Sequence, residues 1–190
     1  MDQQTDTHEI LRRIRNGDRD AFRILVDRHK RLVSHIVYRT VGRTHDHEDL
    51  CQDVFLKVFR RIDTFREEAK LSTWIARIAV NTGVNYLRKK KPSLYEDEPG
   101  FMKTADTDAL PPDLLAEKTD LNERIEAAVS RLPVQLRTIL TLYHVEEMSY
   151  KEISEIMNLP EGTMKNYLFR ARKKMKTLLA DQIETKDILS

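Results

Sequence analysis

Cysteine occurs once in the chain, at Cys51, so no disulfide can close within it. A lone thiol suits a reducing compartment and leaves folding to an apolar core. Glycine is also scarce, five residues in 190, and Gly42 and Gly83 stand alone. That excludes the glycine-rich loops that cradle phosphates in nucleotide-binding enzymes. No apolar run approaches the ~20 residues needed to span a bilayer. The opening MDQQTDTHEI is polar and acidic, unlike a secretory signal. The expectation is a soluble, cytoplasmic protein without membrane insertion. His45, His47 and Cys51 are spaced loosely like metal ligands, but a zinc site needs a fourth and no second pair lies nearby. No nucleophile–base pair can be argued either, so the sequence points to no metal, no cofactor and no catalytic residue: not an enzyme.

What the chain has in quantity is charge, 34% of residues, which beside so little glycine favours an all-α protein over a β-rich one. The formal net charge is only +2, yet its distribution is uneven. Residues 8–91 hold 20 basic and 11 acidic side chains, residues 92–118 two basic and seven acidic, and residues 119–190 eleven of each. The acidic middle stretch contains four of the six prolines and no sustained periodicity, so it reads as an extended, flexible linker. Two small helical domains, residues 8–91 and 119–180, flank it.

The second of these is the more polarised. From Glu146 to Glu161 five acidic residues face one Lys151, whereas Gly162 to Lys176 holds six basic residues and no acidic one. On a helix from Gly162, the residues Met164, Leu168, Ala171, Met175 and Leu178 share a buried face. Lys165, Asn166, Phe169, Arg170 and Lys173 project from the other side. The preceding segment, residues 150–157, buries Ile153, Ile156 and Met157 and is broken at Asn158-Leu159-Pro160. Gly162-Thr163 is expected to supply a hinge and a capping hydroxyl. Short helix, tight turn and basic second helix make a helix-turn-helix shaped for the major groove of DNA. A charged face that is merely solvated normally mixes signs, and this one does not. Residues 121–132, then Pro133 at a helix start, then Leu136, Ile139, Leu140 and Tyr143 are expected to form the support beneath it.

In the first domain, residues 8–41 read as helix interrupted at Asn16-Gly17-Asp18, with Asp18 placed to cap the second part. A helix over residues 47–62 buries Leu50, Val54, Phe55, Val58 and Ile62. Its opposite side gathers Asp49, Gln52, Asp53, Leu56 and Arg60. Leu56 is either an ordinary exposed leucine or the apolar anchor of a protein contact rimmed by carboxylates. After a polar loop over residues 63–70, a helix over residues 71–91 turns Leu71, Ile75, Ile78, Thr82 and Tyr86 inward. Arg77, Asn81, Val84 and Arg88 form its outward stripe, flanked by Trp74 and Asn85 and closed by Lys89, Lys90 and Lys91. Cations for phosphates, Asn for base edges and Trp for stacking suit nucleic acid, unpaired bases above all. The plainer reading makes Trp74 core and the lysines a favourable helix end.

Three collinear stretches resemble the extracytoplasmic-function (ECF, group 4) RNA polymerase sigma factors of the sigma-70 family. They are Glu48-Asp49-Leu50 with Gln52-Asp53-Val54-Phe55-Leu56, similar to region 2.2; Ser72-Thr73-Trp74-Ile75 with Arg77-Ile78-Ala79 and Asn81, similar to regions 2.3 and 2.4; and Leu132-Pro133, Arg137, Met148-Ser149-Tyr150, Glu152-Ile153, Pro160, Gly162-Thr163, Lys165 and Arg170-Ala171-Arg172, similar to region 4. The resemblance implies a sigma region 2 bundle and a region 4 helix-turn-helix. It makes Asp49, Gln52, Asp53 and Leu56 a contact with the core polymerase. Trp74, Arg77, Asn81, Asn85, Arg88, Lys89 and Lys90 would meet the melted non-template strand of the −10 element, with the loop before them holding a flipped base. Thr163, Lys165, Asn166, Tyr167, Phe169, Arg170 and Lys173 would read the duplex −35 element. An anti-sigma factor is an implied partner, and a stress response the implied setting. The linker resembles the segment that threads the polymerase channel.

Asn166 and Tyr167 depart from the family, which frequently has Ser and Arg there, so a −35 preference cannot be carried over. Asp53 shortens a commoner Glu, and Met164 replaces a usual Val. The alternative reading is a free-standing helix-turn-helix regulator whose N-terminal domain senses a ligand.

Overall fold

The computed structural model describes the backbone of residues 2–90 and 121–188, and the side chains of residues 6–90 and 124–180. The linker expected over residues 92–118 lies outside the described residues. Those that are described form helices and loops only, as an all-α protein requires. The chain divides into two compact units, with the main boundary between Lys91 and Pro92.

The first unit contains α1 (Asp2–Arg15), α2 (Arg19–Val41), α3 (His47–Arg61), a 3-10 turn at Ile62–Thr64 and α4 (Leu71–Lys90). Gly17, at φ +86°, makes the turn between α1 and α2, and Asp18 then caps α2 by accepting from the backbone N–H groups of Asp20 and Ala21. α4 packs on both α2 and α3, and α2 also packs on α1 and α3. Its core joins Leu25, Val33, Ile36 and Val37 of α2, Val54 and Val58 of α3, and Ile75, Ala76, Ala79 and Val80 of α4. α4 comes close to α2 at Gly83, where an added Cβ would lie 2.7 Å from Thr40 Cγ2.

Because α4 is flanked by two helices, its buried arc is wider than one amphipathic face. Val84, expected on the outward stripe, is therefore buried at 8% exposure. α3 ends one residue earlier than expected, at Arg61, and tightens into the 3-10 turn.

The second unit contains α5 (Leu121–Ser130), α6 (Val134–His144), α7 (Tyr150–Met157) and α8 (Glu161–Ile188). α8 packs on α5 and α6, with Ala171 and Leu178 meeting Ala128, Leu132 and Leu136. Ser149 caps α7 in a reciprocal box with Glu152. α7 ends at Asn158 in the left-handed conformation, φ 52° and ψ 49°, with its N–H on the Ser154 carbonyl.

The expected hinge at Gly162-Thr163 is not found. α8 begins at Glu161, so both residues lie within its first turn rather than ahead of it. Pro160 stands before the helix, and its carbonyl accepts from Met164 N–H at 3.0 Å. Glu161 puts negative charge at the helix start, where the dipole favours it.

Candidate nucleic-acid interface

Three exposed faces carry the residues singled out by sequence. On α8, the apolar residues Met164, Leu168 and Ala171 are sealed in the core, and this turns Lys165, Asn166, Phe169, Arg170 and Lys173 to solvent. Phe169 is 68% exposed, the most exposed large apolar residue among those described. A phenyl ring held in water on a basic helix has no folding role on its own unit; it is available to an apolar edge such as a thymine methyl. Thr163 is half-buried.

Tyr167 sits differently from its neighbours. Its ring is half-buried against the α5–α6–α8 core, and the Arg170 guanidinium lies 5.8 Å from its centroid. It can steady Arg170 from behind, with only part of its surface left for an outside partner.

A second cluster borders this face. Tyr143 and Tyr150 stack at 5.2 Å; Lys165 Nζ lies 5.6 Å from the Tyr150 ring, and the Arg172 guanidinium 5.1 Å from the Tyr143 ring. Arg172 Nε donates to His144 Nε2 at 3.3 Å. Burial and the adjacent Arg172 push His144 below its ordinary 6.5, which keeps its ring nitrogen an acceptor near neutral pH. These aromatic supports orient Lys165 and Arg172. Arg172 was not among the residues that the sequence placed on the outward face; its signal was its place in the Arg170-Ala171-Arg172 run.

On α4 the buried arc leaves a strip only about 80° wide, at ~100° per residue, that carries Trp74, Arg77, Asn81, Asn85 and Arg88. Arg77, Asn81 and Asn85 are exposed, and Trp74 and Arg88 are half-buried. Trp74 combines both sequence readings: its ring leans on buried Phe65 at a centroid distance of 5.3 Å while part of it stays open. Lys89 is exposed at the helix end.

Lys90 does not join the strip. Its Nζ donates to Tyr86 Oη at 2.7 Å and lies 3.7 Å from Asp46 Oδ2, while Tyr86 Oη donates to the same Asp46 oxygen at 2.5 Å. The Tyr86 hydroxyl and the Lys90 ammonium hold Asp46 below the ordinary carboxylate value, and Lys90 is raised in turn by Tyr86 and Asp46. The group locks the end of α4 to the loop between α2 and α3.

On α3, Asp49, Gln52, Asp53 and Leu56 are all exposed on one side, Leu56 at 51%. The structure adds a residue that periodicity had not singled out. Phe59, one turn on from Leu56, is 49% exposed and meets Phe22 of α2 edge to face at 5.0 Å. Leu56 is thus part of an apolar patch spanning two helices, with carboxylates beside it. His47 and Cys51 lie side by side at 3.9 Å, and no group of three metal-ligating side chains exists among the described residues.

Comparison with known proteins gives two family matches: Sigma-70 region 2 over residues 25–92, and Sigma-70, region 4 over residues 122–175. The ECF RNA polymerase sigma factor SigW of Bacillus subtilis (strain 168) is 33% identical over 179 residues, covering 90% of this chain and 95% of that protein. The ECF RNA polymerase sigma-E factor of Escherichia coli (strain K12) is 34% identical over 180 residues, covering 91% and 94%. Among solved structures, the sigma factor RpoE in complex with the anti-sigma factor NepR from Bartonella quintana matches with a TM-score of 0.65 at 22% identity, over 84% of this chain and 96% of that one. CnrH in complex with the cytosolic domain of CnrY matches with a TM-score of 0.66 at 20% identity, over 90% and 96%. At such identities these two structures speak to the fold alone.

Proposed function

The chain belongs to the ECF RNA polymerase sigma factors, and from that premise we propose how its exposed faces divide the work of an alternative sigma factor in promoter-specific transcription initiation. The outward face of α8 enters the major groove of the −35 element. Lys165, Arg170 and Lys173 meet phosphates or guanine edges, and Asn166 and Phe169 meet bases. The α4 strip takes the melted non-template strand of the −10 element: Trp74 offers a stacking surface, Asn81 and Asn85 base-edge hydrogen bonds, and Arg77, Arg88 and Lys89 phosphate contacts. The loop before α4 holds an unpaired base. Leu56 and Phe59 anchor the core polymerase, with Asp49, Gln52 and Asp53 as the rim. Lys90 acts mainly through its lock with Asp46.

The observation that carries this reading is α8 itself: six cations without one carboxylate between Gly162 and Lys176, on a helix whose other side is sealed into a core. Such a concentration of positive charge on one helix attracts a polyanion. The chain performs no catalysis of its own; phosphodiester chemistry belongs to the polymerase. It acts in the cytoplasm, where an anti-sigma factor restrains it. No helix among the described residues is long and apolar enough to cross a membrane.

Transcription in vitro with purified core polymerase tests the proposal. Promoters selected from a random-sequence pool by the reconstituted holoenzyme should initiate well above core alone, and the free chain should bind the same duplexes weakly. A free-standing regulator would instead bind a palindromic duplex tightly as a dimer and add no initiation to core. That outcome would reject the sigma assignment of these faces.

A further inference from the structure

The loop between the 3-10 turn and α4 contains a residue whose backbone is hard to explain locally. Glu67 has φ +61°, the left-handed region that glycine adopts readily and glutamate rarely does. A side chain in that conformation persists only where its surroundings hold it. The surroundings come from α1. One nitrogen of the Arg15 guanidinium donates to the Phe65 carbonyl at 3.0 Å, and its other terminal nitrogen lies 3.5 Å from Glu67 Oε1. His8, two helical turns earlier on the same face of α1, has Nδ1 against the other Glu67 oxygen. A single planar fork therefore spans residues 65 and 67 and pins the start of the loop. The Phe65 side chain is buried, and its ring carries Trp74 at 5.3 Å. The chain of contact runs from α1 through the loop to the aromatic ring of the α4 strip.

We propose that Arg15 is a positioning residue for promoter opening: it holds Glu67 and Phe65 so that the loop and Trp74 are already arranged to receive an unpaired base. The inference rests on the reading of the α4 strip and its loop as the −10 contact. It assigns α1 a role beyond scaffold, since an amphipathic helix needs only its apolar face, Ile10, Leu11 and Ile14, to fill the core. Arg15 and His8 meet the loop through Phe65 O and the Glu67 carboxylate, and are given no contact with DNA of their own. They act on the entropy of the loop, which otherwise must be ordered at the moment the base arrives.

Two measurements on the full chain test this. Hydrogen–deuterium exchange compares the free protein with Arg15→Ala and Arg15→Lys. Amides of residues 66–70 should exchange about tenfold faster in Arg15→Ala, with α2 and α4 unchanged. Arg15→Lys keeps a cation for Glu67 but not the fork that also reaches Phe65, and should fall between the two. The second measurement follows 2-aminopurine fluorescence in the −10 element of a selected promoter as holoenzyme opens it. Arg15→Ala should slow opening about fivefold while affinity for core stays within about twofold.

Unchanged loop exchange would overturn the proposal. So would faster exchange throughout α2 and α4, which would make Arg15 a general fold support, and so would faster loop exchange with opening at the unmodified rate. If the unmodified holoenzyme opens no promoter, the −10 reading fails, and the exchange data still decide whether the tether exists.

Discussion

Gly83 shows how a single residue sets the spacing of the N-terminal unit. A Cβ there would lie 2.7 Å from Thr40 Cγ2 and 2.9 Å from Thr40 Cβ, and Thr40 is fully buried with its hydroxyl donating to Ile36 O at 2.8 Å. Gly83→Ala is expected to lower stability by about 1–3 kcal/mol through overpacking, read as a fall in the urea midpoint, and Thr40→Ser should recover part of it. At Leu56 the question is affinity. Leu56→Asp should weaken core polymerase binding about tenfold or more, measured by fluorescence anisotropy, while the circular dichroism spectrum stays unchanged. Wild-type affinity would show an ordinary surface leucine. Leu56 was legible in the sequence because its exposure follows from its own helix. Phe59 was not, since what makes it part of a patch is Phe22, a residue on another helix.

Among the elements, α2 and α8 show how ends are decided. The Asp18 carboxylate accepts from Ala21 N–H, pairs with Arg13 and accepts from Asp20 N–H, and these together draw it below its ordinary 3.8. Its folded value is thus lower than its unfolded one. The stabilisation is complete above the unfolded value and is lost as pH falls through the folded value. Asp18→Ala should therefore lower the urea midpoint at neutral pH, and the gap to the unmodified protein should close as the pH is taken below about 3.8. The cap was readable from Asn16-Gly17-Asp18 because capping is local. At α8 the same local reasoning misplaced the start. Pro160-Glu161 and Gly162-Thr163 are both compatible with a helix start, and local residue preferences do not choose between them.

On the scale of the whole molecule, a net charge of +2 provides little general attraction for DNA, so binding must come from charge concentrated on particular faces. Removing one phosphate contact should then be visible in the salt dependence. Arg170→Ala in the holoenzyme should make the plot of log affinity against log salt shallower by about 0.9 on −35 duplexes. Asn166→Ala should leave that slope alone and change which −35 sequences are selected. Equal slopes for Arg170→Ala and the unmodified protein would remove Arg170 from the phosphate contacts.

The sequence by itself determined the helical class, the three motif stretches and the sidedness of α3 and α8. Composition carries the first and the order of residues along the chain the second, while the sidedness depends on residues three or four positions apart, which helical periodicity records directly. Only the tertiary structure decided that Val84 turns inward, that Lys90 is held by Asp46 and Tyr86, that Tyr167 leans into the α5–α6–α8 core, and that Arg15 reaches Glu67. Those pairings join elements far apart in the chain. They arise where packed helices bring charges and rings together, and no local spacing records them.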